Sequence, residues 1–284
     1  MIFRGLLFLF FFMSGSIFAQ NNKFSLPKEL NEISGLVVYN DSLLFAHNDG
    51  GDDPRIYVLN LKGEILHSCL ILNVKNNDWE DIELDEFGNL FIADFGNNRN
   101  NRKNLQILKV NASEISKNDT AFPQIISIRY PNQKKFPPSK KENTFDAESL
   151  LYHNQNLWIF SKCNSNPYNG KSYVYKIPVC EGCLNNVILF DSIVPGKRGW
   201  IVDSYTAGTY FNGIYYLSTY NRLIGYHLTE SSFKQEFKKV YPKFNQKEAI
   251  AFSSNGDLYV ANEKHKILGS AKLKIFRNIN KKDD

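Results

Sequence analysis

The stretch Glu80-Asp81-Ile82-Glu83-Leu84, the turn Glu86-Phe87-Gly88 and the apolar run Leu90-Phe91-Ile92-Ala93 set the reading of the whole chain. Two short runs, one of them alternating, separated by a polar turn with glycine, are the pattern of a pair of antiparallel strands. Further strand-like runs follow at residues 105–110 and 125–130. The unit is therefore a four-stranded meander.

The same order recurs on either side. First strands read Ser34-Gly35-Leu36-Val37-Val38, Glu148-Ser149-Leu150-Leu151-Tyr152, Thr206-Ala207-Gly208-Thr209-Tyr210 and Glu248-Ala249-Ile250-Ala251-Phe252. Each precedes a polar turn (Asn40-Asp41, Asn154-Gln155, Asn212-Gly213, Asn255-Gly256). Second strands follow at 43–46, 157–160, 214–217 and 258–261, and third strands at 55–59, 172–177, 223–227 and 272–276. Fourth strands are readable at 67–72, 187–190 and 233–240. Four strands repeating every ~40–50 residues make a propeller blade, and the two longer intervals hold loops such as 133–143. The fifth unit lacks a fourth strand, which Phe24-Ser25-Leu26 is placed to supply. The expected fold is all-β: a five-bladed β-propeller whose N- and C-terminal strands close the last blade. A six-bladed ring is the alternative, and a β-sandwich array fits the repeat less well.

Composition agrees with a globular core: of 284 residues, 43% are hydrophobic and 22% charged, which excludes wholesale disorder, collagen-like repeats and a polytopic membrane protein. Lys and Arg total 34 against 29 Asp and Glu, and the basic residues fall in scattered doublets such as Lys134-Lys135 and Lys238-Lys239. No continuous basic stripe marks a nucleic-acid surface, so no nucleic-acid partner is expected. Arg4, the apolar run 6–13, small residues and Ala19 follow the order of a secretory signal peptide over residues 1–19. The run is too short to span a bilayer, so no membrane span is expected. Residues 20–284 are then one propeller domain, secreted or periplasmic and monomeric. Cys69, Cys163, Cys180 and Cys183 allow three pairings. Cys180-Glu181-Gly182-Cys183 lacks the second pair of a zinc ribbon and reads as a loop staple or as free thiols.

The chemistry lies at the leading residue of each first strand: Ser34, Glu80, Glu148, Thr206 and Glu248. In a propeller these positions line the central channel near one mouth. All are oxygen donors, strands otherwise disfavour Glu, and converging carboxylates repel unless a cation neutralises them. Oxygen-only ligands favour calcium over zinc, so a central Ca²⁺ is expected on these five residues. A second ring is expected where each blade's second strand ends, with His47, Asn48, Asn97, Asn98, Lys162 and Glu263 binding a ligand. Asp49 and Asp94 are candidate catalytic bases there, and Lys162, Arg99 or Arg102 candidate anion contacts. Capping of turns is the competing explanation for each Asp or Asn beside a Gly. There is no Gly-x-Ser-x-Gly elbow, P-loop or His-Glu-x-x-His, and five His are spread singly.

The in-phase order hydroxyl, Glu, Glu, hydroxyl, Glu resembles that of the calcium-activated nucleotidases (apyrases), secreted five-bladed propellers with a central calcium. The resemblance maps onto Ser34, Glu80, Glu148, Thr206 and Glu248, with Thr206 standing where that family has Ser. The family's paired aspartates and Arg-Thr-Gly turn correspond here to His47-Asn48-Asp49-Gly50-Gly51, which keeps one aspartate and lacks the arginine. The motifs Asn48-Asp49-Gly50, Trp79-Glu80-Asp81-Ile82, Asp94-Phe95-Gly96-Asn97-Asn98, Asp146-Ala147-Glu148 and Glu248-Ala249-Ile250 are similar to those of secreted bacterial propellers labelled esterase- or phytase-like. Two functions are expected. One is a calcium-centred module binding a small-molecule, glycan or protein ligand at the channel mouth, with Trp79, Tyr168, Trp200 and Tyr220 as aromatic contacts. The alternative is a calcium-dependent hydrolase of phosphoesters, nucleotides or other esters.

Overall fold

The computed structural model describes residues 21–277 and Ile279, so the expected signal peptide, residues 1–19, lies outside the described residues. The chain opens with β1 (Asn21–Ser25) and then winds through five sheets. Blade 1 holds β2 (Ile33–Tyr39), β3 (Leu43–Asn48), β4 (Arg55–Asn60) and β5 (Ile65–Ile71). Blade 2 holds β6 (Trp79–Leu84), β7 (Asn89–Asp94) and β8 (Gln106–Asn111); β9 (Thr120–Ala121) then returns to blade 1 before β10 (Gln124–Ser127) completes blade 2. Blade 3 is β11 (Asp146–His153), β12 (Asn156–Lys162), β13 (Ser172–Pro178) and β14 (Ile188–Ile193). Blade 4 is β15 (Ala207–Phe211), β16 (Ile214–Ser218), β17 (Arg222–Leu228) and β18 (Phe233–Val240). Blade 5 is β19 (Lys247–Phe252), β20 (Leu258–Asn262) and β21 (Lys272–Phe276), with β1 antiparallel on the outside of β21. The ring is five-bladed and closed by its two ends, and the six-bladed alternative falls.

Local chemistry sets the hairpins. Asn40 and Asp41, and again Asn154 and Gln155, take positive φ in consecutive positions, and Asn212 does so with Gly213 at φ 84°. Two successive left-handed residues match the twist of the flanking strands, so two-residue turns join the inner strands tightly. The first strands are buried almost throughout because adjacent blades pack on both their faces. Apolar side chains fall into five interblade clusters, exemplified by Phe45 with Ile92 between blades 1 and 2, and Phe91 with Tyr175 between blades 2 and 3.

Two details depart from the sequence expectation, and the cysteines settle on one of its alternatives. β9 pairs parallel with β5 and widens blade 1 to five strands, a two-residue element too short to carry an alternating pattern. The last strand of blade 2 stops at Ser127, short of the expected 130, and residues beyond it form a loop. Cys180 and Cys183 form the disulfide of a loop staple, while Cys69 and Cys163 are free and buried.

Inner strands are also laced by polar groups. Ser34 Oγ donates to the Glu80 carbonyl (2.6 Å), joining blades 1 and 2, and Thr206 Oγ1 donates to the Lys247 carbonyl (2.6 Å), joining blades 4 and 5. Asp81 Oδ2 accepts from the Leu150 amide (2.9 Å) between blades 2 and 3. Removing residues 1–25 strips β1 from β21 and leaves an open sheet edge. At ~1 kcal/mol net per lost backbone hydrogen bond, a urea titration is expected to show a loss of about 3 kcal/mol or more. An unchanged midpoint would show that β1 does not close the ring.

Candidate metal centre and ligand cleft

The first strands present their leading residues through a shared irregularity. In blades 1, 2, 3 and 5 the pairing with the second strand skips Ser34, Glu80, Glu148 and Glu248 respectively. A bulge of this kind leaves one extra residue out of the ladder and re-aims its side chain. Thr206 sits just ahead of β15, its amide donating to the Ser218 carbonyl (2.9 Å). All five leading residues are buried, at 2–6% exposure.

Their carboxylates do not meet evenly on the axis. Glu80, Asp146 and Glu148 bring carboxylate oxygens within 4.8 Å of one another, and Glu80 forms a second such group with Asp49 and Asp78. Glu248 belongs to neither group, and the Ser34 and Thr206 hydroxyl protons are committed to carbonyls of the next blade. The acidic centre is thus gathered over blades 1–3. Lys162 accounts for the asymmetry: its Nζ lies 2.5 Å from Glu148 Oε1 in a buried ion pair. Burial works against the Lys162 charge, yet Glu148, Tyr220, Asp146 and Glu248 outweigh it and hold the ammonium well above its ordinary pKa. Between Glu148 and Glu248 the protein supplies its own cation.

Two glycines make room for the acids. A Cβ on Gly96 would stand 2.1 Å from Glu80 Oε1 and 2.5 Å from Asp78 Cγ, and one on Gly50 would stand 2.6 Å from Asp78 Oδ1. The glycines of the Asn-Asp-Gly and Asp-Phe-Gly-Asn-Asn motifs therefore let Asp78 enter between two loops. Asp78 and Asp146 had no role in the sequence reading. Asp146 stands within a motif quoted there, and Asp78 directly before another, but neither is at a leading position.

Other expected residues build the walls. Asp94 is fully buried and accepts from Asn77 Nδ2 (2.8 Å), the Asp78 amide (3.1 Å), Arg102 Nη2 (2.9 Å) and Gln106 Nε2 (2.8 Å). That saturation corrects the expectation of a catalytic base: Asp94 is a hub that holds the Asp78 loop. His47 is also fully buried, with Nδ1 2.8 Å from the Asn48 carbonyl and its ring edge-on to Trp79, so it packs inside the blade and does not face the mouth. Burial lowers its pKa to about 4. Trp79 is likewise core, not a ligand contact. Asn48 Nδ2 donates to the Glu29 carbonyl (2.6 Å) and to Asp52, and the Asn97 amide donates to Asp146 Oδ1 (2.7 Å). Asn98 is exposed and, with Lys162, Asn164, Tyr168 and Trp200, lines an open cleft of about 510 Å³. Trp200 is 51% exposed there. Glu263 is half-buried, weakly held by Gln246 Nε2 (3.3 Å), and burial with the Asp49 and Glu32 charges pushes its pKa up to about 8.

Burial and mutual repulsion raise the whole set. Burial, then Glu148, Asp49, Asp146 and Asp78, place Glu80 well above the carboxylate range. Burial raises Glu148 to about 8 against the pull of Lys162, and burial with Asp49 raises Asp78 to about 7. Glu80 Oε1 is buried without a hydrogen-bond partner among the described residues. An unpaired buried carboxylate oxygen is costly, and an all-oxygen donor set without His or Cys suits a hard divalent cation. The residues present fit such an ion.

No protein-family model matches the sequence, and no curated protein matches it. Among solved structures, the glutaminyl cyclase of Myxococcus xanthus shares 11% identity and a TM-score of 0.54, covering 89% of this chain and 93% of that one. The PQQ-bound aldose sugar dehydrogenase of Streptomyces coelicolor shares 10% identity and a TM-score of 0.51, over 91% and 98% of the two chains. A luciferin-regenerating enzyme shares 14% identity and a TM-score of 0.52, over 87% and 78%. At these identities the likeness is one of fold.

Two outcomes follow from the geometry. Gly96→Ala drives a methyl into Glu80 and Asp78 and is expected to weaken any divalent-cation binding at this cluster at least about tenfold in calorimetry. Unchanged affinity would mean that the Glu80–Asp78 contact does not shape the ion site. The raised carboxylates set a pH dependence: the folded chelated protein binds more protons than the unfolded chain between about pH 4 and 8, so stability falls as pH rises through that window. Thermal melts in chelator should show this decline and melts in calcium should flatten it; a chelated protein that gains stability from pH 5 to 8 would contradict it.

Proposed function

We propose that the protein is a calcium-dependent hydrolase of a small, uncharged ester, with the ion held by Asp49, Asp78, Glu80, Asp146 and Glu148. The observation that carries the reading is the bare Glu80 Oε1 amid four further carboxylates. Calcium bound there supplies polarisation of an ester carbonyl and of an attacking water. Lys162 lines the adjacent cleft, and with one ammonium proton on Glu148 it keeps others to donate to oxygen charge that develops on the substrate. Glu263, with a pKa near 8, is poised to exchange a proton close to neutral pH. Tyr168 and Trp200 offer apolar contact for the substrate body and Asn98 a polar one.

Electrostatics favours an uncharged ester over a nucleotide. Glu248 and Glu263 add to the five carboxylates of the centre, and Lys162 is the lysine set among them. Even with a divalent ion bound, that balance repels a polyphosphate. Fold neighbours named as a sugar dehydrogenase, a glutaminyl cyclase and a luciferin-regenerating enzyme are consistent with a catalytic use of this kind of ring. An exported site, in line with the N-terminal segment, would meet millimolar calcium.

Calorimetric calcium titration is expected to give one site in the wild type and at least about 100-fold weaker binding in Glu80→Gln. Aryl acetates and lactones should then be hydrolysed with calcium and not with chelator, and faster than aryl phosphates or ATP. Calcium binding with no ester turnover would leave the alternative of a binding module, and no calcium binding would remove both.

A further inference from the structure

A groove lies on the flank of blade 2, between the loop before β8 and the segment after β10. Its walls carry Arg102, Lys103, Arg129 and Lys134, and no Asp or Glu lines it. Lys103, Arg129 and Lys134 have no carboxylate within ion-pair distance among the described residues. Lys103 Nζ and Arg129 Cζ stand 5.6 and 5.7 Å from the Phe136 ring centroid, so one aromatic ring gathers two cations. Leu105 and Ile128 give the groove an apolar, buried base. The groove encloses about 360 Å³, room for a compact organic molecule.

Tyr130 forms part of the buried floor of the groove. It lines the same groove at 1% exposure, stacked on Tyr175 of blade 3 (centroids 4.3 Å apart). Its hydroxyl is buried with no hydrogen-bond partner among the described residues. Cations without carboxylate partners, gathered by one aromatic ring over an apolar base, call for an anion with a hydrophobic body.

We infer that this groove is a second ligand site, taking a small organic oxyanion, a carboxylate or a phosphate monoester on an aromatic or aliphatic body. Its head group is held by Arg129, Lys134 and Lys103. The site has the opposite sign to the channel mouth, so the two select different molecules. Arg102 stands between them: Nη1 donates to the Gly96 carbonyl (2.7 Å) and Nη2 to Asp94 Oδ1 (2.9 Å), the residues that position Asp78 and Glu80.

The test is calorimetric titration of the calcium-loaded protein with phenyl phosphate and benzoate, with benzyl alcohol as the uncharged control. Either anion is expected to bind saturably and benzyl alcohol not to bind. Arg129→Gln/Lys134→Gln, both exposed positions, should weaken binding at least about tenfold without changing the melting temperature. Glu80→Gln, which disables the proposed ion site, should bind the anion as the wild type does. The inference is overturned if neither anion binds, if the double variant binds undiminished, or if binding vanishes in Glu80→Gln, which would move it to the mouth.

Discussion

Everything at the channel mouth is organised by the cost of holding like charges together out of water. Glu80, Asp146 and Glu148 approach within 4.8 Å in a buried setting, and each is pushed towards its protonated form. A fold tolerates such a cluster only if positive charge, hydrogen-bond donors or a bound ion offset it. Lys162 offsets one side, with Glu148 as its direct partner. Asp146 is offset by the same Lys162 charge and by the Asn97 amide (2.7 Å) and Asn164 Nδ2 (3.0 Å). What remains uncompensated is concentrated on Glu80, the residue shared by both carboxylate groups. That concentration places the strongest demand for positive charge beside blade 2 and not on the fivefold axis.

The fold can bear this because stability and chemistry occupy different layers. Five apolar clusters, each shared by two neighbouring blades, hold the ring through short-range packing. Repulsion among the acids acts on blades 1–3 at one end only. The Ser34–Glu80 and Asp81–Leu150 hydrogen bonds tie the same three blades together where the repulsion would part them. Asp94 then fixes the Asp78 loop through four donors, so that a carboxylate on a loop is held as firmly as one on a strand.

The ring was legible in the sequence because each blade repeats the same order of alternating strand and polar turn. The first strands begin where expected, to within a residue or two, and Phe24 and Ser25 do pair with β21. The candidate site was legible in part. Phase identifies Glu80 and Glu148, because equivalent positions in equivalent blades share a bulge. Phase cannot see Asp78, which reaches the cluster from a loop, nor that Lys162 reaches Glu148 and breaks the symmetry. His47, Trp79 and Asp94 are polar or aromatic residues at strand ends, where local sequence alone does not separate a ligand contact from a buried brace. Only the partners distinguish them: Trp79 against His47, and four donors around Asp94.

The broken symmetry has a chemical consequence. A cation shared equally by five blades would be enclosed by the ring, leaving little of its surface for a substrate. The carboxylates instead gather towards Asp49 and Asp78, which are only partly buried, so that a cation held there would lie nearer the surface. There Lys162 belongs at once to the acidic cluster and to the cleft that holds Tyr168 and Trp200. An internal ammonium paired with one carboxylate of the set thus does two things: it removes part of the charge an ion would otherwise balance, and it sets a donor beside the cleft. A purely structural ion requires neither, and this lysine is therefore the feature on which the proposed catalytic reading most depends.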